Sequence, residues 1–269
     1  VGSIWNSGLH GLAHNLGYKF IIACNLYNLG VIAWYRGEYS RALQQIEETQ
    51  SIFRYLNQPW LSAGSLHLAG DIALAAGDEA EAAQWYEAEL SFNREAQLKA
   101  VHAFALEGLG KVAWSQGDYR LATDHFKEAL RMSRAEDIRP ATFNALYGLG
   151  RTAQTQDEHA AANRFYAEIL QAQTRRVVPL FRWASFKTYQ SPISYPLAAH
   201  AILAVAQNNM QRAARLFGAA ENLYTPLRFE MSARERTEHE QAIASTRVTL
   251  PSSTGVGWLK AILQMAPAV

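Results

Sequence analysis

A leucine-glycine motif returns every 40 residues in this chain, and this period constrains the fold more than any other feature of the sequence. The motif reads L-x-x-L-G or a close variant. The motif ends at Gly30, Gly70, Gly110 and Gly150. Seven positions after each of these glycines stand Gly37, Gly77, Gly117 and Asp157, and twelve positions after them stand Ala42, Ala82, Ala122 and Ala162. Such a period is typical of arrays in which each repeat is one structural unit packed on its neighbours.

The spacing within one period predicts a helical hairpin. Two antiparallel helices approach closely only where the facing side chains are small, as Gly30 and Ala42 would allow. Leu26, Leu29, Ala33, Ile46 and their counterparts recur at helical spacing, which predicts one buried stripe on each helix. The turn position between the helices favours glycine or aspartate, since both tolerate a left-handed backbone.

The period divides the whole chain. Helical hairpins are predicted near 21–56, 60–97, 100–134, 140–174 and 195–224, with Ala201, Asn208, Ala213 and Phe217 marking the last one. We therefore predict an all-α, right-handed α-solenoid with a C-terminal helical cap. Its parts are the second helix of a truncated repeat at 1–18, four repeats at 19–178, an insertion at 179–194, a fifth hairpin at 195–228 and the cap at 229–269. Within the cap, Ser232 and Glu235 have the spacing of a capping box at the start of a helix near 232–248.

The motif, with its turn glycine, Tyr39 or Tyr119, the packing alanine and Phe126, resembles the tetratricopeptide repeat. The standard unit of that family has about 34 residues, and each unit here is longer. The lengthened form resembles the repeats of large bacterial signal-transduction ATPases of LuxR-type or MalT-like domain arrangement. The segment from Gln211 to Leu223 is also similar to the last hairpin of those regulators, although His239 stands where an aromatic residue usually falls.

The resemblance implies a concave face lined by the first helix of each hairpin. Counted along the motif, the residues that would bind an effector or partner in this groove are Tyr27, Trp34, His67, Asp71, Phe104, Glu107, Lys111, Trp114, Asn144, Tyr147 and Arg151. Aromatic side chains gathered on one face favour an interaction site, and the charged ones add directional contacts. Arg151 would hold a carboxylate through its planar guanidinium. Packing between repeats is the alternative for Trp34 and Trp114.

A second patch lies in the insertion and its approach. It combines basic and aromatic residues without an acid: Arg175, Arg176, Arg182, Trp183 and Lys187 are its main members. Such a patch suits nucleic acid or a phosphorylated ligand. A packed extra helix explains the same residues, and the sequence leaves both interpretations open.

Catalytic and metal motifs are weak. Gly108-Leu109-Gly110-Lys111 lacks the first glycine and the Ser/Thr of a phosphate-binding loop, so we expect neither ATP binding nor ATP hydrolysis. His10 and His14 have the spacing of metal ligands but no third partner nearby, which favours no metal site. Cys24 has no readable partner for nucleophilic catalysis and is expected to be a buried or half-buried thiol. We therefore expect no enzyme and no cofactor.

The composition limits the classes of partner that the chain is expected to bind. A net charge of +1, from 25 Lys+Arg and 24 Asp+Glu, provides no broad field for nucleic acid or an anionic membrane. Polar residues such as Asn25, Asn28 and His200 interrupt the most apolar stretches, so we expect no membrane span. The single cysteine fits a reducing compartment, and we expect a cytoplasmic protein.

Three functional hypotheses are compatible with the sequence. The leading hypothesis is a non-enzymatic sensor module of a bacterial transcriptional regulator, with the ATPase and DNA-binding modules elsewhere in a longer chain and no direct DNA binding by this part. Its groove would bind a protein, a peptide or a small-molecule effector. The alternative is a freestanding tetratricopeptide scaffold that holds a peptide or helix of a partner protein. An accessory domain of an enzyme is a weaker third class.

Overall fold

The computed structural model describes the backbone of residues 2–173, 191–223 and 233–249, and the side chains of 16–171, 199–217 and 237–246. The helices in these ranges are α1 (Gly2–Tyr35), α2 (Tyr39–Tyr55), α3 (Pro59–Ala76), α4 (Glu79–Glu95), α5 (His102–Ser115), α6 (Tyr119–Ala135), α7 (Arg139–Thr155), α8 (His159–Gln173), α9 (Ser191–Ala206), α10 (Met210–Leu223) and α11 (Ala233–Thr249), with a 3-10 turn at Lys99–Val101 before α5. These ranges contain no β-strand. The predicted class, an all-α solenoid of consecutive helical hairpins, is confirmed.

The turns inside the hairpins have the predicted backbone. Gly77 has φ 88° and Asp157 has φ 60°, both in the left-handed region. After each of them the chain closes the helix with a backbone bond, as in Asp78 N–H to the carbonyl of Ala73 at 3.0 Å. Asn208, predicted in the turn of the last hairpin, has φ 58°. The aspartate and the asparagine therefore replace glycine at the same kind of helix end.

Turns between hairpins use a second left-handed position that the sequence analysis missed. Asn57, Gln97 and Asp137 have φ of 51°, 56° and 51° and are themselves 40 residues apart. The residue after each bonds back into the preceding helix, for example Gln58 N–H to the carbonyl of Phe53 at 2.9 Å. None of the three is glycine, so the column carries no glycine signal in the sequence.

Close helix contacts occur at the predicted small residues. A Cβ added to Gly30 would lie 2.7 Å from Cδ1 of Ile46 and 3.3 Å from the carbonyl oxygen of Ala42. The four packing alanines are fully buried: Ala42, Ala82, Ala122 and Ala162. The register on which the groove positions depend is therefore confirmed at its packing points.

One stripe residue departs from the prediction. Leu29 was expected on the buried side of its helix, but 46% of it is exposed, whereas Leu149 at the equivalent position of α7 is 3% exposed. The difference arises because this side of a first helix packs against the preceding hairpin. The same side of α1 has no such cover among the described residues.

The N-terminal boundary also differs. The repeat period places a separate second helix at 1–18, but α1 runs unbroken from Gly2 to Tyr35. Gly17, at the expected boundary, lies within the helix and has nothing near its Cβ position. Residues Leu16–Tyr35 are long and apolar enough to cross a membrane by length and composition, which the sequence analysis did not expect. One face of this segment packs inside the protein, with Ala23 and Ala33 buried.

The structure divides into two compact units. The first extends from Val1 to Gly108 and the second from Leu109 to Val269, so the boundary lies inside α5. A core cluster in the first unit joins α1, α2 and α3 through Ala33, Trp34, Ala42, Ile46, Leu68, Ala69 and Ile72. A cluster in the second joins α9, α10 and α11 through Ala201, Ala204, Ala213, Phe217, Ala242 and Ile243. Helix α11 is the cap helix predicted near 232–248. The proposed capping residue Ser232 lies outside the described residues.

Candidate functional site

The eleven predicted groove residues all lie on first helices and divide between the two units. Tyr27, Trp34, His67, Asp71, Phe104 and Glu107 belong to the first unit, and Lys111, Trp114, Asn144, Tyr147 and Arg151 to the second. Trp34, Glu107, Trp114 and Arg151 are buried, and the other seven are half-buried. Trp34 lies in the core cluster of the first unit, as the packing alternative requires.

In the first unit, His67 contacts three carboxylates that come from three helices. Nδ1 of His67 lies 2.9 Å from Oε2 of Glu89 on α4, within hydrogen-bond distance. Nε2 lies 3.6 Å from Oδ2 of Asp71 on α3 and 3.8 Å from Oε2 of Glu107 on α5. The structure therefore brings together His67, Asp71 and Glu107, three of the predicted residues.

Aromatic rings surround this charged group, which we call the His67 network. The Tyr86 hydroxyl donates a hydrogen bond to Oδ1 of Asp71 at 2.7 Å. The ring centroids of Tyr86 and Phe104 lie 5.4 and 5.9 Å from that of His67. Burial, together with the Asp71 carboxylate, raises the pKa of Tyr27 to about 12. Tyr27 and Tyr86 therefore remain neutral hydrogen-bonding groups at physiological pH.

Glu89 is a member that sequence reasoning missed. It is 1% exposed, and burial raises the pKa of its carboxyl despite the opposing effect of His67. The signal was present in the repeat: the equivalent positions are Thr49, Ala129 and Ile169, all fully buried. A glutamate in a column of buried small or apolar residues predicts a buried carboxylate.

The second unit holds a different polar group around Arg151. The Arg151 guanidinium donates a hydrogen bond to Oε2 of Glu238 on α11 at 2.6 Å. Its carbon lies 4.9 Å from the centre of the Trp114 ring, in the geometry of a cation–π contact. Nearby on the same helix, Tyr147 lies 6.2 Å from Tyr166 between ring centroids. Arg151 thus holds a carboxylate, but one that belongs to the same chain.

Other residues singled out by the sequence have structural roles. Gly108 and Gly110 lie in α5. A Cβ added to Gly108 would lie 2.3 Å from Tyr86, and one added to Gly110 would lie 2.7 Å from Phe126, so both glycines allow close packing. Lys111 follows them in the same helix, and that context is not the strand-to-helix turn of a phosphate-binding loop. Cys24 is half-buried, and burial raises the pKa of its thiol, which disfavours the nucleophilic thiolate.

Some predicted features fall on residues whose side chains lie outside the described ranges. They are His10 and His14, the insertion, and the basic-aromatic patch of Arg175, Arg176, Arg182, Trp183 and Lys187. Among the described side chains, no group of three or more His, Cys, Asp or Glu residues has the arrangement of a metal site.

Comparisons with known proteins agree with the hairpin geometry. Residues 101–175 match the family model of the tetratricopeptide repeat. This part of the chain is similar in sequence to tetratricopeptide repeats. No curated protein sequence matches the chain. The crystal structure of BtubC (BKLC) from P. vanneervenii is similar in fold, with a TM-score of 0.57 and 15% identity over 81% of this chain and 85% of that one.

A second solved structure is a tetratricopeptide repeat protein from Parabacteroides merdae ATCC 43184. It matches with a TM-score of 0.43 and 17% identity, over 90% of this chain and 84% of that chain. Tetratricopeptide repeats generally mediate protein–protein interaction, and proteins of the family are generally scaffolds without catalytic activity.

Proposed function

We propose that this chain is a partner-binding module whose binding residues lie on the first helices of its tetratricopeptide hairpins. In each unit the half-buried residues of these helices offer both aromatic surface and hydrogen-bonding groups. They include Tyr27, His67, Asp71 and Phe104 in the first unit and Lys111, Asn144 and Tyr147 in the second. A protein or peptide partner that lies across first helices would contact several of them together.

The His67 network is the observation that carries this proposal. Buried polar and charged groups lower stability unless they are satisfied, so a histidine and three carboxylates gathered in one largely buried group have a cost that packing alone does not require. The other repeats fill the Glu89 position without a charge. A network of this composition therefore favours a role in recognition over one in packing. Asp71 and His67 have side chains 24% and 18% exposed, so they are the members that a partner would reach.

We further propose that the module is the sensor part of a bacterial transcriptional regulator in the cytoplasm. Support comes from the sequence resemblance of the last hairpin and of the lengthened repeat. In such a regulator, an effector or partner would bind one arrangement of the hairpins with higher affinity than another. Binding would shift the population toward that arrangement and so change the state of ATPase and DNA-binding modules elsewhere in the chain. This module would bind neither DNA nor a cofactor and would catalyse no reaction.

Peptide selection tests the binding proposal without knowledge of the partner. Peptides would be selected from a random displayed library on the wild-type chain, and their affinities measured for Asp71→Asn, His67→Ala and Tyr147→Ala. We expect losses of about 1–3 kcal/mol at one or more of these positions. Gln44 and Lys127 are exposed residues on second helices, so the variants Gln44→Ala and Lys127→Ala serve as controls. Selected peptides that bind all variants equally would exclude first-helix recognition.

The reading frame upstream of Val1 separates the regulator from the alternative. An ATPase module with a phosphate-binding loop upstream supports the regulator. A start codon within one repeat of Val1 supports the freestanding scaffold that binds a peptide or helix of a partner protein.

A further inference from the structure

Gly64 leaves an open position on the face of α3 that carries His67 and Asp71. A Cβ added to Gly64 would have nothing within 4 Å, and the residue is exposed. The equivalent positions of the other repeats hold half-buried side chains: Cys24, Phe104 and Asn144. The second repeat therefore lacks a side chain at a position where its neighbours on α1 and α5 both have one.

An exposed aromatic ring lies one turn before this position. Trp60 is 48% exposed. Residues four apart on a helix share a face, so Trp60 and Gly64 are neighbours on the surface of α3. The equivalent residues of the other repeats are half-buried: Phe20, Ala100 and Pro140. The second repeat thus combines a ring that is open to water with a missing side chain next to it.

A second ring, that of Phe104 on α5, lies at the level of the open position. Its centroid is 5.9 Å from that of His67, which follows Gly64 by one turn on α3. We call Trp60, Gly64, His67 and Phe104 the Gly64 notch. All four residues belong to the first unit. The notch lies within the repeat array, because α3 has a first helix before it, α1, and another after it, α5.

The second unit shows which group fits an aromatic ring and a carboxylate on first helices. There, the carbon of the Arg151 guanidinium lies 4.9 Å from the centre of the Trp114 ring. The same guanidinium donates a hydrogen bond to Glu238 at 2.6 Å. An arginine side chain is therefore held by a ring face and a carboxylate together.

The first unit has the same components at the notch without an arginine of its own. Trp60 and Phe104 provide aromatic rings, and Asp71 provides a carboxylate one turn after His67, with 24% of its side chain exposed. Helix α3 contains no Lys or Arg. On α5 the first Lys or Arg is Lys111, seven residues after Phe104 and about 10 Å further along the helix. Neither helix therefore places a cation of the chain at the level of the notch.

We infer that the Gly64 notch binds an arginine side chain of the partner. The guanidinium would stack against the rings of Trp60 and Phe104 and donate hydrogen bonds to the Asp71 carboxylate. Arginine suits this arrangement better than lysine, because its planar group can stack on a ring and bond a carboxylate at the same time. The inference rests on the proposed function and adds the chemistry of the residue that the partner presents.

Peptides selected from the random library on the wild-type chain provide the probe. We expect an arginine to recur among them. Replacing that arginine by alanine should weaken binding at least about tenfold. Replacing it by citrulline, which has nearly the same shape but no charge, should also weaken binding, because the attraction to Asp71 is lost. Fluorescence anisotropy with labelled peptides measures the affinities.

Filling the notch should remove the preference for arginine. Gly64→Leu places a side chain in open space at an exposed helix position, so the circular dichroism and the melting temperature should be retained. This variant should bind the arginine peptide about as weakly as the wild type binds the alanine peptide. Its affinity for the alanine peptide should equal that of the wild type, because the two changes remove one shared contact.

Two further variants complete the comparison. Trp60→Ala should weaken the arginine peptide more than the alanine peptide, because only the arginine stacks on the indole. Gly17→Leu is the matched control, since Gly17 is also an exposed glycine of a first helix with nothing within 4 Å of its Cβ position. It should leave both affinities unchanged.

Three results would overturn the inference. One is a set of binding peptides in which no arginine recurs. Another is equal affinity of the arginine and citrulline peptides, because the charge would then play no part. The third is an equal effect of the arginine-to-alanine change on the wild type and on Gly64→Leu, because the arginine would then bind elsewhere.

The same measurements keep this inference apart from the proposed function. Peptides that lose affinity for His67→Ala or Tyr147→Ala but do not depend on an arginine would support first-helix recognition and contradict the role of the notch. A library that yields no binding peptide would contradict both.

Discussion

The surroundings of the buried Glu89 side chain change the pH at which its carboxyl ionises. Its oxygen contacts His67 at 2.9 Å, yet burial and the nearby Asp71 and Glu107 carboxylates raise its pKa. The folded state therefore holds the proton on Glu89 more tightly than the unfolded state. The contribution of this group to stability is fully present below the unfolded pKa and is lost as the pH rises through the folded pKa.

Replacing Glu89 by glutamine should remove this pH dependence. We expect the free energy of unfolding of Glu89→Gln, relative to that of the wild type, to be higher at pH 7 than at pH 4, because the amide cannot ionise. Urea unfolding at a series of pH values measures the difference. Glu48→Gln, an exposed residue on α2, is the matched control and should change little. A wild type whose advantage over Glu89→Gln grows with rising pH would contradict the raised pKa.

Two glycines on first helices should respond oppositely to alanine. A Cβ on Gly150 would lie 2.2 Å from Cε1 of Tyr166, whereas Gly64 has nothing within 4 Å. Gly150→Ala should lower the free energy of unfolding by about 1–3 kcal/mol through overpacking. Gly64→Ala should raise it by up to about 1 kcal/mol, since alanine favours the helix. Thermal unfolding of both variants tests the packing register, and equal effects would be inconsistent with it.

The contacts of a residue can be predicted from the sequence when they depend on its neighbours along the chain or on the repeat pattern. The contacts of Gly30 and Ala42 were predictable because only small residues allow the two helices to approach. Glu89 was missed because glutamate on a helix ordinarily faces solvent. The pairing of Arg151 with Glu238 was not predictable, since 87 residues separate the partners and neither has a local signal.

At the scale of elements, side-chain caps define the start of some second helices. The Asp118 carboxylate accepts a hydrogen bond from the backbone N–H of Leu121 at 2.9 Å at the start of α6, and Asp78 accepts from Glu81 at 2.8 Å at the start of α4. These caps follow directly on the left-handed Gly77 and Gly117. In these two hairpins a glycine followed by aspartate therefore ends one helix and begins the next, which is why the turns at Gly77 and Gly117 were predictable from the sequence.

Removing one cap measures this contribution. Asp118→Ala should lower the free energy of unfolding by about 1 kcal/mol, because the N–H of Leu121 loses its acceptor. Asp124 is exposed on the same helix, and Asp124→Ala should have a smaller effect. Denaturant unfolding of the two variants makes the comparison. A larger loss for Asp124→Ala would mean that the cap does not stabilise α6.

At the scale of the whole molecule, helix α11 is joined to the second unit in two ways. Ala242 and Ile243 complete the apolar cluster with α9 and α10, and His239 packs edge-on against Phe217 with ring centroids 5.3 Å apart. His239 stands where the resemblance described above led us to expect an aromatic residue, and its imidazole here makes an aromatic contact. Glu238, one residue earlier, reaches Arg151.

The Arg151–Glu238 pair should stabilise the second unit. Arg151 is 4% exposed, so Arg151→Ala should cost about 2–4 kcal/mol by removing the hydrogen bond to Glu238 and the contact with the Trp114 ring. Glu238→Gln should cost less, because the amide still accepts a hydrogen bond. Hydrogen exchange in α11 and urea unfolding measure both. We expect faster exchange in α11 after Arg151→Ala, and unchanged exchange would mean that the pair does not stabilise this helix.

Glu89 stands in a column whose other members, Thr49, Ala129 and Ile169, carry no charge, and this difference has a consequence for engineering. Consensus design of a repeat protein averages its units, and averaging here would replace Glu89 by a small or aliphatic residue and His67 by tyrosine, as in Tyr27 and Tyr147. Such a chain would keep every packing alanine and would gain stability. It would also lose what distinguishes the second repeat from its copies, so a consensus protein that folds well but binds nothing is the expected product.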